Sequence, residues 1–334
     1  MDVVCWGEGE ITLLEILSCL KKSGKFSEIQ GISFENGNGE IVVTNPRSLI
    51  TDLDNLPFPE YKLRDYYDYT LTLAKRPFAS VITSRGCYYK CAFCSSPAHW
   101  RGKVRQRSVE NVISWLRNLT ETQGVKFVQF VDDVFGQDSK WLNEFCRRMK
   151  QERFDLHWMA DLHPLSLRKK KRHYLLKLRE IGCVLLSYGA QSSDKDILAR
   201  INRDSEEPEE LKEHLSICNQ IGIKTVLTYI FGLPGETKES ISKSMKYIDE
   251  NPSFLLDIHP LVVLPDSSLG KNKYISSELT AEEIDHYCYL ALLKYYGNYK
   301  NLSRICLTIL RENPSWLKII PYLFIKSFNY KKTI

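Results

Sequence analysis

Three cysteines fall within eight residues, Cys87-Tyr88-Tyr89-Lys90-Cys91-Ala92-Phe93-Cys94, a C-x3-C-x2-C spacing. Thiolates are soft ligands, and three on one short stretch can wrap a single soft centre, which selects an iron–sulfur cluster or zinc. Three arrangements satisfy the spacing. The cysteines could share one face of a helix as small buried hydrophobes, although Gly86 before the run and Pro97 after it punctuate a loop. A closed zinc site would add His99 as fourth ligand, in C-x3-C-x2-C-x4-H. A 4Fe–4S cluster on Cys87, Cys91 and Cys94 would instead leave one iron open to a small molecule. The other seven of the ten cysteines are scattered singly.

The elements around this run predict where it sits. Apolar strand-like runs occupy roughly 78–84, 125–131, 155–160, 183–188, 224–231 and 255–264, with amphipathic stretches between them. One helix is expected after Ser108, with Val109, Val112, Ile113, Leu116 and Leu119 on one face, and others after Asp138 and around Leu211 to Ile221. Nearly continuous apolar strands imply a parallel sheet covered on both faces. Six strand–helix units fall short of a closed eightfold barrel, so the fold class expected is α/β, a partial (β/α)6 TIM-like barrel. The cysteines follow the first strand, at the strand end where such folds place their chemistry.

Before this rhythm, Asp2 to Trp6 reads as a strand, Ile11 to Leu20 as a helix with apolar Leu13, Leu14, Leu17 and Leu20, and Gly31 to Val43 as a hairpin around Asn36-Gly37-Asn38-Gly39. Leu53 to Pro59 reads as an extended linker, because each proline pushes its predecessor out of the α region. Beyond Ser276 the texture is helical, rich in aromatics and lysine. The expected divisions are therefore 1–60, 61–275 and 276–334.

Gly86 to Cys94, with aromatic Phe93 before the last cysteine, resembles the signature of the radical S-adenosylmethionine (SAM) family. Phe127 to Phe135 is similar to the second-strand segment of these enzymes, and Gly182 to Ser193 to the fourth. Phe231-Gly232-Leu233-Pro234-Gly235-Glu236-Thr237 matches the fifth-strand end of the branch whose members often carry a cobalamin-binding domain. These segments span residues 78 to about 265 in order. Residues 1–60 look like the tail of such a domain plus its linker, with the rest, including the cobalamin-contacting histidine loop, missing.

The resemblance implies a 4Fe–4S cluster on Cys87, Cys91 and Cys94, the fourth iron chelated by SAM, and His99 a bystander. It implies reductive cleavage of SAM to methionine and a 5′-deoxyadenosyl radical, which abstracts hydrogen from an unidentified small-molecule or peptide substrate. A one-electron donor such as ferredoxin or flavodoxin would be the partner. Asp132 and Asp133 would meet the methionine ammonium or the substrate, and their alternative is a cap or turn. Phe93 and the backbone from Gly232 to Gly235 would line the adenine pocket, the alternative being a strand–helix turn with positive φ at glycine. Gln191 stands where relatives have glutamate, in Gly-x-Glu-Ser, and Leu264 to Ser268 replaces a Pro-Gly-Thr turn; the first removes a charge beside the ribose or substrate. Cobalamin binding is not expected of this chain, since one strand–helix pair cannot form the pocket. Two rival readings are a non-catalytic remnant that binds a cluster, and a zinc-stabilised binding module.

Composition excludes other classes. Across 334 residues, 43% hydrophobic and 26% charged content is that of a globular chain, not a disordered or fibrous one. Net charge of +5 is too small for an electrostatic glove around nucleic acid. Apolar runs are too short to span a membrane, and acidic Asp2, Glu8, Glu10 and Glu15 oppose a signal peptide, so the cytoplasm is expected. The basic run Arg168 to Arg172 reads as a solvated face, and Trp316 to Tyr330 as a helix over the barrel rather than on a membrane.

Overall fold

The computed structural model describes residues 2–61, 77–166, 171–272 and 277–312. The chain divides into two compact units, residues 1–56 and 57–334. In the first, β1 (Val3–Cys5) pairs antiparallel with β2 (Ile32–Glu35), which pairs antiparallel with β3 (Ile41–Val43). The β2–β3 turn is built by Asn36, whose side-chain oxygen accepts the backbone N–H of Asn38 and of Glu40. Helix α1 (Glu10–Lys22) follows β1. Its Leu13, Leu14, Leu17 and Leu20 lie exposed, and Thr12 is its buried residue. An apolar stripe normally faces a core; here it faces outward.

The second unit is built on β4 (Phe78–Val81), β7 (Phe127–Phe130), β8 (His157–Leu162), β9 (Cys183–Gln191), β10 (Lys224–Phe231) and β11 (Leu255–Pro260). Between β4 and β7 come a short ribbon of β5 (Ser84–Arg85) and β6 (Arg105–Gln106), with helix α2 (Ser96–His99) inside it, and then helix α3 (Val109–Arg117). The helices after β7 are α4 (Ser139–Glu152), α5 (Lys171–Glu180), α6 (Lys195–Arg200), α7 (Pro208–Ile221), α8 (Lys238–Glu250), α9 (Ser268–Lys271), α10 (Ala281–Gly297) and α11 (Tyr299–Glu312).

The six strands form one parallel sheet in the order β4-β7-β8-β9-β10-β11. Each strand neighbours the next one in the chain, the winding of a barrel that stops two strands short of closure. Alternation puts Phe130, Trp158, Tyr188 and Leu227 against the helices, where Trp158, Phe130, Phe135, Phe145 and Trp141 form a contiguous aromatic cluster. On the other face, Ile305 and Ile309 of α11 pack on Leu185, Met159, Val226 and Leu255. Helix starts fall where the sequence places them. Ser108 accepts the N–H of Asn111, and Asp138 accepts the N–H groups of Lys140 and Trp141.

The expected helix at Trp316 to Tyr330 lies outside the described residues, as does most of the basic run from Arg168, of which Lys171 opens α5. Among the described residues, no helix is long and apolar enough to cross a membrane.

Candidate functional site

The cysteine segment leaves the sheet over the C-terminal ends of its strands. The ribbon β5–β6 fixes its base. At Gly86, φ is +100° and a Cβ would lie 2.2 Å from the carbonyl oxygen of Lys103, so only glycine lets the two arms of the ribbon approach this closely. Trp100 is flanked by the guanidinium groups of Arg85 and Arg105, 6.0 and 5.2 Å from its ring centre. Beyond the ribbon the segment is a loop: Cys94 N–H donates to Cys91 C=O, Ala92 N–H to Ile201 C=O, and Leu269 N–H to Ala92 C=O. A continuous helical face of cysteines is therefore not what forms.

All three cysteines are partly buried. Burial pushes the Cys87 thiol up to about 12, and the charges of Cys91, Asp133 and Cys94 add to the effect, opposed by the N–H of Tyr89. Cys91 is pushed up to about 11 by burial, with Arg203 pulling the other way and Cys94 and Glu206 adding. Cys94 is raised by burial against the N–H of Ser96, which lies 3.4 Å from its sulfur. Three mutually repelling, desolvated thiols stay protonated until a cation compensates them. Among the described residues no three His, Cys, Asp or Glu side chains converge as a ready-made metal site. The donor set nevertheless suits an iron–sulfur group: three thiols on one loop, each with its sulfur facing a backbone N–H, the kind of hydrogen bond that tunes cluster sulfur. His99 lies in α2 with its ring edge-on to Trp100, 4.3 Å between centres.

The other expected residues are placed as follows. Asp132, at the end of β7, turns inward. Its carboxylate accepts the N–H of Thr83 at 2.6 Å, the Thr83 hydroxyl, and the Ser84 hydroxyl at 2.9 Å. Fully buried, it is held up to about 6 by desolvation despite these bonds. Sequence reasoning offers a ligand contact or a cap or turn there; in the structure Asp132 ties β7 to the start of the ribbon. Asp133 is exposed and accepts the Gly86 N–H at 3.0 Å. Phe93 joins Ala92, Leu233, Ile230, Ile197 and Leu198 in one apolar cluster, so the structure brings Phe93 and the end of β10 together.

Gly232 and Gly235 both take positive φ, and the turn they frame is held by Glu236, whose carboxylate accepts the N–H of Gly232 at 2.5 Å and of Leu233 at 3.2 Å. Gln191 closes β9 with φ +66°, an uncommon conformation for a residue with a Cβ. Its amide nitrogen lies over Gly189, and its Oε1 is buried without a hydrogen-bond partner among the described residues.

Three features escape sequence reasoning. Gln137, in the β7–α4 loop, donates to Gly86 C=O and accepts the N–H of Tyr88, each at 2.9 Å. Tyr89, between the first two cysteines, stacks on His163 with ring centres 3.4 Å apart and planes 8° apart. His163 accepts the Leu165 N–H at Nδ1, which leaves the ring proton on Nε2, 3.1 Å from Glu206 Oε1. Burial first, and Arg203 second, hold this imidazole down to about 2. It is neutral, and Glu206 is paired instead with the buried guanidinium of Arg203. No local signal marks these residues, because each contact joins strand ends far apart in the chain.

A family model described as the Radical SAM superfamily matches residues 81–248. The uncharacterized methyltransferase PH0819 of Pyrococcus horikoshii is 32% identical over 247 residues, 74% of this chain and 52% of the relative. The anaerobic magnesium-protoporphyrin IX monomethyl ester cyclase of Rubrivivax gelatinosus is 25% identical over 258 residues, 75% of this chain and 45% of the relative. Among solved structures, the radical SAM methyltransferase TsrM of Kitasatospora setae, with tryptophan and a SAM analogue bound, aligns with a TM-score of 0.66 at 18% identity, covering 80% of this chain and 53% of that one. The cobalamin-dependent SAM radical enzyme OxsB, with aqua-cobalamin and SAM bound, aligns with a TM-score of 0.58 at 19% identity, covering 74% and 36%. The chain thus spans about half the length of the curated relatives it matches.

Proposed function

The chain belongs to the radical SAM superfamily of enzymes, and we propose that it holds a 4Fe–4S cluster on Cys87, Cys91 and Cys94, binds SAM there, and serves hydrogen abstraction from a small-molecule or peptide substrate. The observation that carries this reading is the three-thiol loop seated at the C-terminal rim of a six-stranded parallel sheet, with the family match at residues 81–248 covering the ends of the first five of those strands. When bound, the cluster supplies one electron to the SAM sulfonium, releasing methionine and a 5′-deoxyadenosyl radical. The chain's own residues hold, orient and shield. Three sulfurs anchor three irons and keep the fourth for SAM, so a fourth protein ligand would compete. The apolar cluster of Phe93, Leu233 and Ile230 offers an adenine a flat, dry surface. Gln191, with a buried free carbonyl oxygen at the end of β9, offers one hydrogen-bond acceptor to a ribose hydroxyl or ammonium without adding charge. A ferredoxin- or flavodoxin-type donor would deliver the electron.

The test is iron per chain after anaerobic reconstitution. Cys91→Ala should lose the cluster, and His99→Ala should keep it; metal lost from the histidine variant instead would support zinc. Methionine and 5′-deoxyadenosine formed after dithionite reduction would separate a working enzyme from an inert cluster binder. Cobalamin belongs to this proposal as an expected absence. The first unit offers one strand–helix pair and a hairpin, too little buried surface to cradle a corrin by itself. Equilibrium dialysis of hydroxocobalamin against the 334-residue chain should show no stoichiometric retention at micromolar concentration.

A further inference from the structure

The backbone on both sides of Cys87 is held by side chains from one loop. Gln137 spans the cysteine: its Nε2 donates to the carbonyl of Gly86, and its Oε1 accepts the N–H of Tyr88, both at 2.9 Å. Asp133, four residues earlier, accepts the N–H of Gly86 at 3.0 Å. Three backbone groups flanking Cys87 are thus satisfied from residues 133–137, between β7 and α4. The bonding of Gln137 is that of a paired strand residue, with a side-chain amide in place of the peptide group.

The neighbourhood of the other two cysteines is anchored elsewhere. Ala92 donates to Ile201 after α6, and accepts from Leu269 in α9. The spacing of Cys87 from Cys91 and Cys94 is therefore set by two separate parts of the rim. We infer that Gln137 is the positioning residue that holds Cys87 in register with Cys91 and Cys94, a role that rests on the reading of these three as cluster ligands.

The chemistry of the clamp is particular to glutamine. An ionised glutamate would keep an acceptor for Tyr88 but set a second carboxylate oxygen against the carbonyl of Gly86. Methionine would keep the length and volume and remove both bonds. Asparagine is one methylene too short to reach both backbone groups.

The experiment compares wild type with Gln137→Met and Gln137→Glu in two measurements. In iron-free protein, alkylation of each cysteine is followed by peptide mass spectrometry. Two bonds of ordinary strength hold Cys87 in place, so its labelling should rise about tenfold in Gln137→Met, and by less in Gln137→Glu. Labelling of Cys91 should not change. In reconstituted protein, both variants should carry less iron than wild type, with a shifted EPR spectrum of the reduced cluster, while thermal midpoints stay close to wild type. Labelling that rises at Cys87 and Cys91 together, or at neither, would overturn the clamp. Wild-type protein that holds no cluster would overturn the ligand reading instead, and the labelling pattern would still decide whether Gln137 fixes Cys87.

Discussion

At the scale of the residue, Asp132 and Asp133 show how adjacent carboxylates with the same apparent promise part ways. Successive side chains leaving a strand point to opposite sides. Asp132 enters the interior and satisfies the N–H and hydroxyl of Thr83 and the hydroxyl of Ser84. Asp133 stays at the surface beside Gly86. The consequence is testable at Asp132. Removing the carboxyl in Asp132→Ala orphans a buried amide and two hydroxyls, and should cost about 2–4 kcal/mol in denaturant unfolding. Asp132→Asn keeps the shape and one acceptor, and the two hydroxyls can rotate to accept from its NH2. It should fold and bind SAM as wild type does. A large loss of SAM affinity in a stably folded Asp132→Asn would sink the structural role and restore the ligand contact expected from sequence. Sequence legibility divides along the same line. The cysteines stand out because they recur at a short spacing within one segment, which a single sequence shows directly. The inward turn of Asp132, the clamp of Gln137 and the Tyr89–His163 stack depend on which strand lies beside which, and no local pattern carries that.

At the scale of the element, the ribbon β5–β6 is the part on which the cysteine loop depends most directly. It is only two residues long on each arm, too short for strand periodicity to announce it. What holds it is the close approach at Gly86 and the stacking on Trp100. Gly102 supplies an internal control, since it lies between the same two arms with φ +67° and nothing within 4 Å of an added Cβ. Gly102→Ala pays only for its left-handed backbone, about 1 kcal/mol. Gly86→Ala pays for the backbone and for a methyl driven into the Lys103 carbonyl, so the ribbon must open. Its thermal midpoint should fall several degrees further than that of Gly102→Ala, and its iron content after reconstitution should fall with it. Equal effects at the two glycines would mean that the ribbon does not set the loop. The longer elements were legible because they obey simple periods: all six sheet strands and helices α3, α4 and α7 fall where apolar spacing and caps place them. Helix α1 is the counterexample. It forms where its pattern places it, yet the apolar stripe of Leu13, Leu14, Leu17 and Leu20 lies exposed, which periodicity alone does not tell.

At the scale of the whole molecule, stability should depend on pH through groups buried with opposite preferences. Glu236, fully buried behind the turn after β10, is pushed up to about 7 by desolvation, against the N–H groups of Gly232 and Leu233. Its native form holds a proton more tightly than the unfolded chain does. The stability it contributes is therefore complete below about pH 4.5 and is lost as pH rises to about 7. Asp132 acts in the same direction between about 3.8 and about 6. His163 and His214 oppose them. Burial holds these imidazoles down to about 2 and about 4, so their contribution is complete above pH 6.5 and is lost as pH falls. Asp161 and Glu206, also raised by burial, act with the two carboxyls, so rising pH sets the buried carboxyls against the two imidazoles and their slopes partly cancel in the wild type. Glu236→Gln isolates one of these groups. The amide mimics the protonated carboxyl at every pH, so a constant offset is expected from its side chain, but not the slope. Relative to wild type, the variant should gain stability from pH 4.5 to 7, by up to about 3 kcal/mol over the whole window. Urea midpoints of the two proteins, measured in parallel across that range, read the difference directly. Curves that stay parallel would mean that Glu236 titrates near its ordinary value, and that the buried turn after β10 admits water to its carboxylate.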